Sequence, residues 1–115
     1  MQIALIGIGK IANYQMQAIT HTPGIKLVDA HDLDANKAEE LPGSVNFHDN
    51  LEKMLNKSTA DAFLVSTPTP SHFEVAMQVI ESDHIAIVEK PICTSQSEMD
   101  ALLTAARTRK LPLYT

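Results

Sequence analysis

The first twelve residues constrain this chain more than any others. Gln2 to Ile6 is a short, mainly apolar run that leads directly into Gly7-Ile8-Gly9-Lys10-Ile11-Ala12, a G-x-G-x-x-A pattern. An apolar run without polar alternation reads as a strand covered on both faces, as in the interior of a parallel sheet. The pattern after it predicts a tight strand-to-helix turn. Gly7 permits the turn, Gly9 lets a ligand approach the backbone, and Ala12 lets the helix pack close to the strand. A helix starting there offers free N–H groups and a partial positive charge, which suit phosphate oxygens.

The rest of the chain alternates strand and helix. A helix over 10–20 is followed by a break at Thr22-Pro23-Gly24 and a second strand from Ile25 to His31. Asp34 can cap a helix over 35–41, which Pro42-Gly43 stops. Val45 to Phe47 reads as a third strand. Asp49 starts a helix with Leu51, Met54 and Leu55 at helical spacing, and Asp61 to Ser66 is a fourth strand. Thr67-Pro68-Thr69-Pro70 then blocks regular hydrogen bonding. Ser71 and Glu74 form an S-x-x-E capping box for a helix with Phe73, Ala76, Met77 and Ile80 on its buried face. His84 to Glu89 is a fifth strand. A second capping box, Ser95 with Glu98, opens a helix with Met99, Leu102, Leu103 and Ala106 as its stripe, and Leu111 to Thr115 is a sixth strand. This alternation predicts a parallel sheet with helices on both faces. Two βαβαβ halves joined by a crossover helix predict a doubly wound α/β fold with a six-stranded parallel sheet, the Rossmann fold that binds dinucleotides.

Composition narrows the partners. The chain has 115 residues, enough for one domain with a modest core. Its formal net charge of -5 argues against nucleic acid or an anionic membrane as partner. It does not argue against a pyrophosphate, which backbone N–H groups can hold. Cys93 is the single cysteine, so no disulfide can form within the chain, and a reducing, cytoplasmic location is expected. Cys93 and the histidines lack metal-ligand spacing, so no metal is expected. No stretch approaches the roughly 18 apolar residues of a membrane span.

The second strand carries a test of the ligand. Asp32 follows its carboxyl end, about 20 residues past the glycine turn, where an adenosine ribose sits in such folds. A carboxylate there accepts from the 2′- and 3′-hydroxyls and repels a 2′-phosphate. Leu33 comes next, where an arginine could have clamped that phosphate. NAD is therefore expected rather than NADP. Asp29 and Asp34 compete for the same role, and strand alternation selects Asp32.

Two further segments fall at carboxyl ends of strands, where open α/β sheets bind ligands. Ser66-Thr67-Pro68-Thr69-Pro70-Ser71-His72 follows the fourth strand, and Glu89-Lys90-Pro91 follows the fifth. Taken with Gly7 to Ala12 and Asp32, they make the chain resemble the Gfo/Idh/MocA oxidoreductase family over essentially its whole length. The resemblance implies cofactor contacts from Gly7, Ile8, Gly9, Lys10, Ile11, Asp32, Leu33, Ser66, Thr67, Pro68, Thr69, His72, Glu89 and Lys90. Thr67, Pro68 and Thr69 would border the nicotinamide half, and Glu89 its ribose. Lys90 would be the catalytic residue, facing the substrate oxygen that exchanges a proton as hydride moves. His72 reads equally well as a capping or packing histidine.

The resemblance also implies a second α/β domain that supplies most of the substrate pocket and an acid–base histidine. On that reading residues 1–115 are one dinucleotide-binding domain of a longer NAD-dependent dehydrogenase or reductase. The small-molecule substrate would be a sugar, polyol or related carbonyl compound, and this chain alone would be inactive. The unfinished sheet edge predicts a homo-oligomer. The alternative reading is a non-catalytic dinucleotide-binding module, a redox sensor or scaffold.

Overall fold

A computed structural model describes residues 1–115. Six strands form one sheet: β1 (Gln2–Ile6), β2 (Lys26–His31), β3 (Asn46–His48), β4 (Ala62–Val65), β5 (Ile85–Val88) and β6 (Leu113–Tyr114). Every pairing is parallel, in the spatial order β3-β2-β1-β4-β5-β6. This is the doubly wound order, and the switch point lies between β1 and β4. The helices are α1 (Ala12–Thr20), α2 (Leu51–Lys57), α3 (His72–Glu81) and α4 (Gln96–Thr108), with 3₁₀ segments at Ala35–Glu40 and Thr69–Ser71.

Strand alternation sorts the core into two clusters. Ala4 and Ile6 of β1 join Phe63 and Val65 of β4 and Ala86 and Val88 of β5 against α2, α3 and α4. Leu5 points the other way, joining Ile8, Ala12, Met16, Leu27 and Ala30 under α1. The first cluster holds 14 buried residues and the second 6, so the sheet is covered unequally. On β5, Ala86 and Val88 are buried while Ile85 and Ile87 remain half-buried.

A polar network crosses the β2–β3 edge. Asp29 is 5% exposed and accepts from the Ser58 hydroxyl, and His48 Nε2 lies 2.7 Å from its Oδ1. The His48 carbonyl in turn faces His31 Nδ1 at 2.8 Å. The network ties β2, β3 and the end of α2 together, and no buried side-chain polar atom lacks a partner. A satisfied buried network of this kind holds one register, because any slip would orphan a charge or a hydroxyl.

The expected elements are present, with several local differences. The segment after β2 is a 3₁₀ helix, although Asp34 caps it as expected by accepting from Asn36 N. Asn50, not Asp49, caps α2, its Oδ1 accepting from Lys53 N at 2.9 Å. Ser71 makes no capping bond, because Thr69–Ser71 already forms a 3₁₀ turn and its hydroxyl turns back to Thr67 Oγ1 and the Pro68 carbonyl. Ser95 does cap α4, accepting from Glu98 N, whereas Glu98 reaches past it to Thr94. The buried face of α3 is His72, Ala76, Val79 and Ile80, so it is rotated from the expected stripe. The side chain of Asn50 should therefore matter where that of Asp49 does not. In urea unfolding, Asn50→Ala is expected to lower stability by about 1 kcal/mol, and Asp49→Ala to change it by less than about 0.5 kcal/mol.

Candidate dinucleotide-binding site

The glycine turn is built by backbone contacts. Gly7 takes φ +97°, and its N–H donates to the His31 carbonyl at 2.8 Å. A Cβ on Gly7 would stand 2.8 Å from the backbone of Ser66 and Thr67. Gly7 is thus required twice, for its dihedral and for the close approach of β1 to β4. Gly9 differs, since a Cβ there meets nothing within 4 Å. Its open side faces the space a ligand would take. Ala12 is 1% exposed under the sheet, as its small size predicts.

The turn leaves a cradle of donors. Ile8 N–H is taken by Asp32 Oδ2 at 2.8 Å, and Ala12 N–H by the Gly9 carbonyl. The N–H groups of Gly9, Lys10 and Ile11 donate to no protein acceptor. Three successive free donors at the N-terminus of α1 match what a pyrophosphate needs. They open on a cleft of about 970 Å³ at the carboxyl end of the sheet. Its walls include Gly7 to Ile11, Asp32, Leu33, Ser66, Thr67 and Pro68.

The three aspartates near β2 separate by role. Asp29 is buried in the β2–β3 network and Asp34 caps the 3₁₀ segment, while only Asp32 lines the cleft. Asp32 is held from two sides, by Ile8 N and by Asp34 N at 2.8 Å each. Each carboxylate oxygen keeps a second lone pair for another donor. Leu33 is 94% exposed beside it, a flat apolar surface at the rim.

Four of the expected contact residues, Thr69, His72, Glu89 and Lys90, lie off the cleft walls. His72 is 2% exposed, with Nδ1 2.7 Å from the Pro91 carbonyl and Nε2 2.7 Å from the Thr67 carbonyl. It is a packing histidine that ties the loop after β4 to the loop after β5. Glu89 and Lys90 stand at the end of β5, before a cis Lys90–Pro91 bond, with Lys90 exposed.

Lys37 and Gln15 are among the residues that sequence reasoning passed over here. Lys37 lines the cleft and pairs with Glu40 at 3.1 Å. The hydrogen bond that Lys37 donates to Glu40, together with the Glu40 charge, raises the Lys37 pKa above the ordinary lysine value; desolvation opposes this, and the charges of Asp32 and Asp34 add to the rise. Gln15 lies behind the turn and bonds both Ser66 and Glu89. Nothing in their local sequence marks either one, since both look like ordinary polar positions on a helical face.

Fold and site together define a dinucleotide-binding domain with its ligand cleft at the switch point of a parallel sheet. The chain belongs to the Gfo/Idh/MocA oxidoreductase family, NAD-binding Rossmann fold, whose sequence model it matches over residues 1–115. Among curated proteins it is 28% identical over 105 residues to scyllo-inositol 2-dehydrogenase (NAD(+)) of Bacillus subtilis, covering 88% of this chain and 31% of that protein. It is 28% identical over 118 residues to UDP-N-acetylglucosamine 3-dehydrogenase of Acidithiobacillus ferrooxidans, covering 98% and 36%. The chain thus spans about a third of the length of the curated relatives it matches. Among solved structures, the WlbA dehydrogenase of Bordetella pertussis in complex with NADH and UDP-GlcNAcA superposes with a TM-score of 0.89 at 27% identity, covering 97% of this chain and 35% of that one. GenD2 from gentamicin A biosynthesis in complex with NAD gives 0.92 at 26% identity, covering 99% and 33%. The domain is accordingly an NAD-binding one.

The two glycines should behave differently on substitution. Gly7→Ala is expected to cost about 3 kcal/mol, from strain at positive φ and overpacking against Ser66 together. Gly9→Ala should stay within about 1 kcal/mol of the parent. Thermal and urea unfolding of the two variants checks the contrast.

Proposed function

We propose that this chain is the cofactor half of an NAD-dependent dehydrogenase or reductase whose substrate is a sugar, polyol or related carbonyl compound. The observation that carries the reading is the cradle: three free N–H groups of Gly9, Lys10 and Ile11, with the Asp32 carboxylate beside them on one cleft. In this reading the donors hold the pyrophosphate, and Asp32 accepts from the adenosine ribose hydroxyls. Ser66, Thr67 and Pro68 carry the cleft wall toward the nicotinamide end. Bound NAD supplies hydride acceptance, and NADH hydride donation.

Lys90 is the proposed catalytic residue. It is exposed and follows β5 at the carboxyl end of the sheet, the end on which the cleft opens. There it can hold a substrate hydroxyl or carbonyl oxygen and exchange a proton with it. UDP-GlcNAcA, named in complex with the Bordetella pertussis dehydrogenase, is an example of the sugar class proposed. Self-association belongs to the same reading. Ile85 and Ile87 are half-buried and Tyr114 is 54% exposed along the β5–β6 side of the sheet. A second copy covering this strip should raise the apparent mass with concentration in light scattering, and a monomer throughout would count against it.

Cofactor choice is the direct test. In calorimetric titrations NADH is expected to bind at least about tenfold more tightly than NADPH, a gap of about 1.4 kcal/mol. The cause is repulsion between the 2′-phosphate and Asp32. Asp32→Asn keeps an acceptor for Ile8 N–H but removes the charge, so it should narrow that gap while weakening NADH only modestly. Equal affinity of the parent chain for both cofactors would overturn the role given to Asp32. Absence of saturable NADH binding would overturn the reading as a whole.

A further inference from the structure

Gln15 sits on α1 one helical turn past the glycine cradle, away from the cleft walls. Its side-chain amide bridges two segments far apart in sequence. Nε2 donates to Glu89 Oε1 at 2.6 Å, and Oε1 accepts from the Ser66 hydroxyl at 2.9 Å. Chemistry dictates this orientation of the amide. An ionised carboxylate only accepts, so the NH₂ group must face Glu89 and the carbonyl is left for a hydroxyl that can donate. The bond to Glu89 is charge-assisted and short, the stronger kind.

The bridge joins α1 to the ends of β4 and β5; Ser66 lines the cleft, and Glu89 stands next to it, just off the cleft walls. Gln15 rides on the helix whose N-terminus forms the pyrophosphate cradle. Ser66 follows β4, and its N–H donates to the Ile6 carbonyl at 2.8 Å. Glu89 follows β5, and its N–H donates to the Val65 carbonyl at 3.0 Å. The backbones at both ends are thus held by the sheet, and the amide fixes the side chain that would otherwise rotate. A glutamate has three side-chain torsions, so an unheld carboxylate would be ordered only at an entropic cost when a ligand arrived. With Oε1 occupied by Gln15, Oε2 has no hydrogen-bond partner in the protein.

We propose that Gln15 is a positioning residue: it orients the Glu89 carboxylate so that Oε2 receives a hydroxyl of the nicotinamide ribose. The inference rests on the reading of the chain as an NAD-binding half-site. It goes beyond that reading in assigning a role to a residue that touches no ligand.

Three probes separate the possibilities: NADH, ADP-ribose and ADP, each titrated calorimetrically into the 115-residue chain. NADH and ADP-ribose carry the second ribose, and ADP stops at the pyrophosphate. Gln15→Met keeps the length of the side chain and removes both bonds. It is expected to weaken NADH and ADP-ribose about tenfold and to leave ADP within twofold. Gln15→Asn, one methylene too short to span both partners, should give the same pattern and serves if the methionine variant does not fold. In a Glu89→Ala background, Gln15→Met should cause no further loss, since coupled partners are non-additive. Equal weakening of all three probes would overturn the proposal, because the defect would then lie in the cradle. So would an unchanged ADP-ribose affinity, or additive losses in the double variant. Failure of the parent chain to bind NADH or ADP would instead overturn the cofactor reading beneath it.

Discussion

The approach of Gly7 to the Ser66–Thr67 peptide is the contact on which the cleft depends. It brings the ends of β1 and β4 together with no side chain between them, at a separation a single Cβ would violate. The surrounding bonds run in sequence across the sheet: Gly7 N–H to the His31 carbonyl, Ser66 N–H to that of Ile6, and Glu89 N–H to that of Val65. Each turn therefore begins at the same level as its neighbour's. The crevice above the strands follows from this alignment, and so does the exposure of three backbone donors at the start of α1. A side chain at position 7 would force the strands apart or rotate the turn, and either change would displace the donors.

Unequal coverage of the sheet shapes the rest. Three helices pack one face and α1 alone packs most of the other. The polar clusters are placed where burial is incomplete. Asp29, His48 and Ser58 lock the thin β2–β3 edge, where hydrophobic area is least able to hold a three-residue strand. Near the centre, His72 joins the loops after β4 and β5 through two carbonyls. None of these side chains lines the cleft. They brace the segments that do, and groups on loops depend on such polar struts behind them.

The parts of the site that lie next to each other in the chain were legible in the sequence. The G-x-G-x-x-A turn predicted the dihedral at Gly7, the openness at Gly9 and the packing at Ala12, because each follows from the size of a side chain at a known place in a β–turn–α unit. Strand alternation favoured Asp32 over Asp29, but Asp34 has the same parity as Asp32, and only its capping bond to Asn36 N sets it apart. Capping was less legible. Asp49 and Asn50 are both good caps, and the choice between them depends on where the chain leaves β3. The S-x-x-E at Ser71 is a valid local signal that a preceding 3₁₀ turn, begun at Thr69, overrides.

What the sequence determined by itself was the order of elements, the parallel sheet and the phosphate-binding turn, since these follow from hydrophobic periodicity and from side-chain size within a few residues. Tertiary structure alone decided which polar residues meet. Gln15 and Glu89 are 74 positions apart, and Asp29 and Ser58 are 29 apart, and no local pattern encodes either pair. His72 became a strut because α3 is rotated to bury it, a rotation set by Val79 and Ile80 packing against the sheet. Local rules read the backbone well, because steric limits act between neighbours. Side-chain networks close over long loops, and their partners are chosen by how the layers pack.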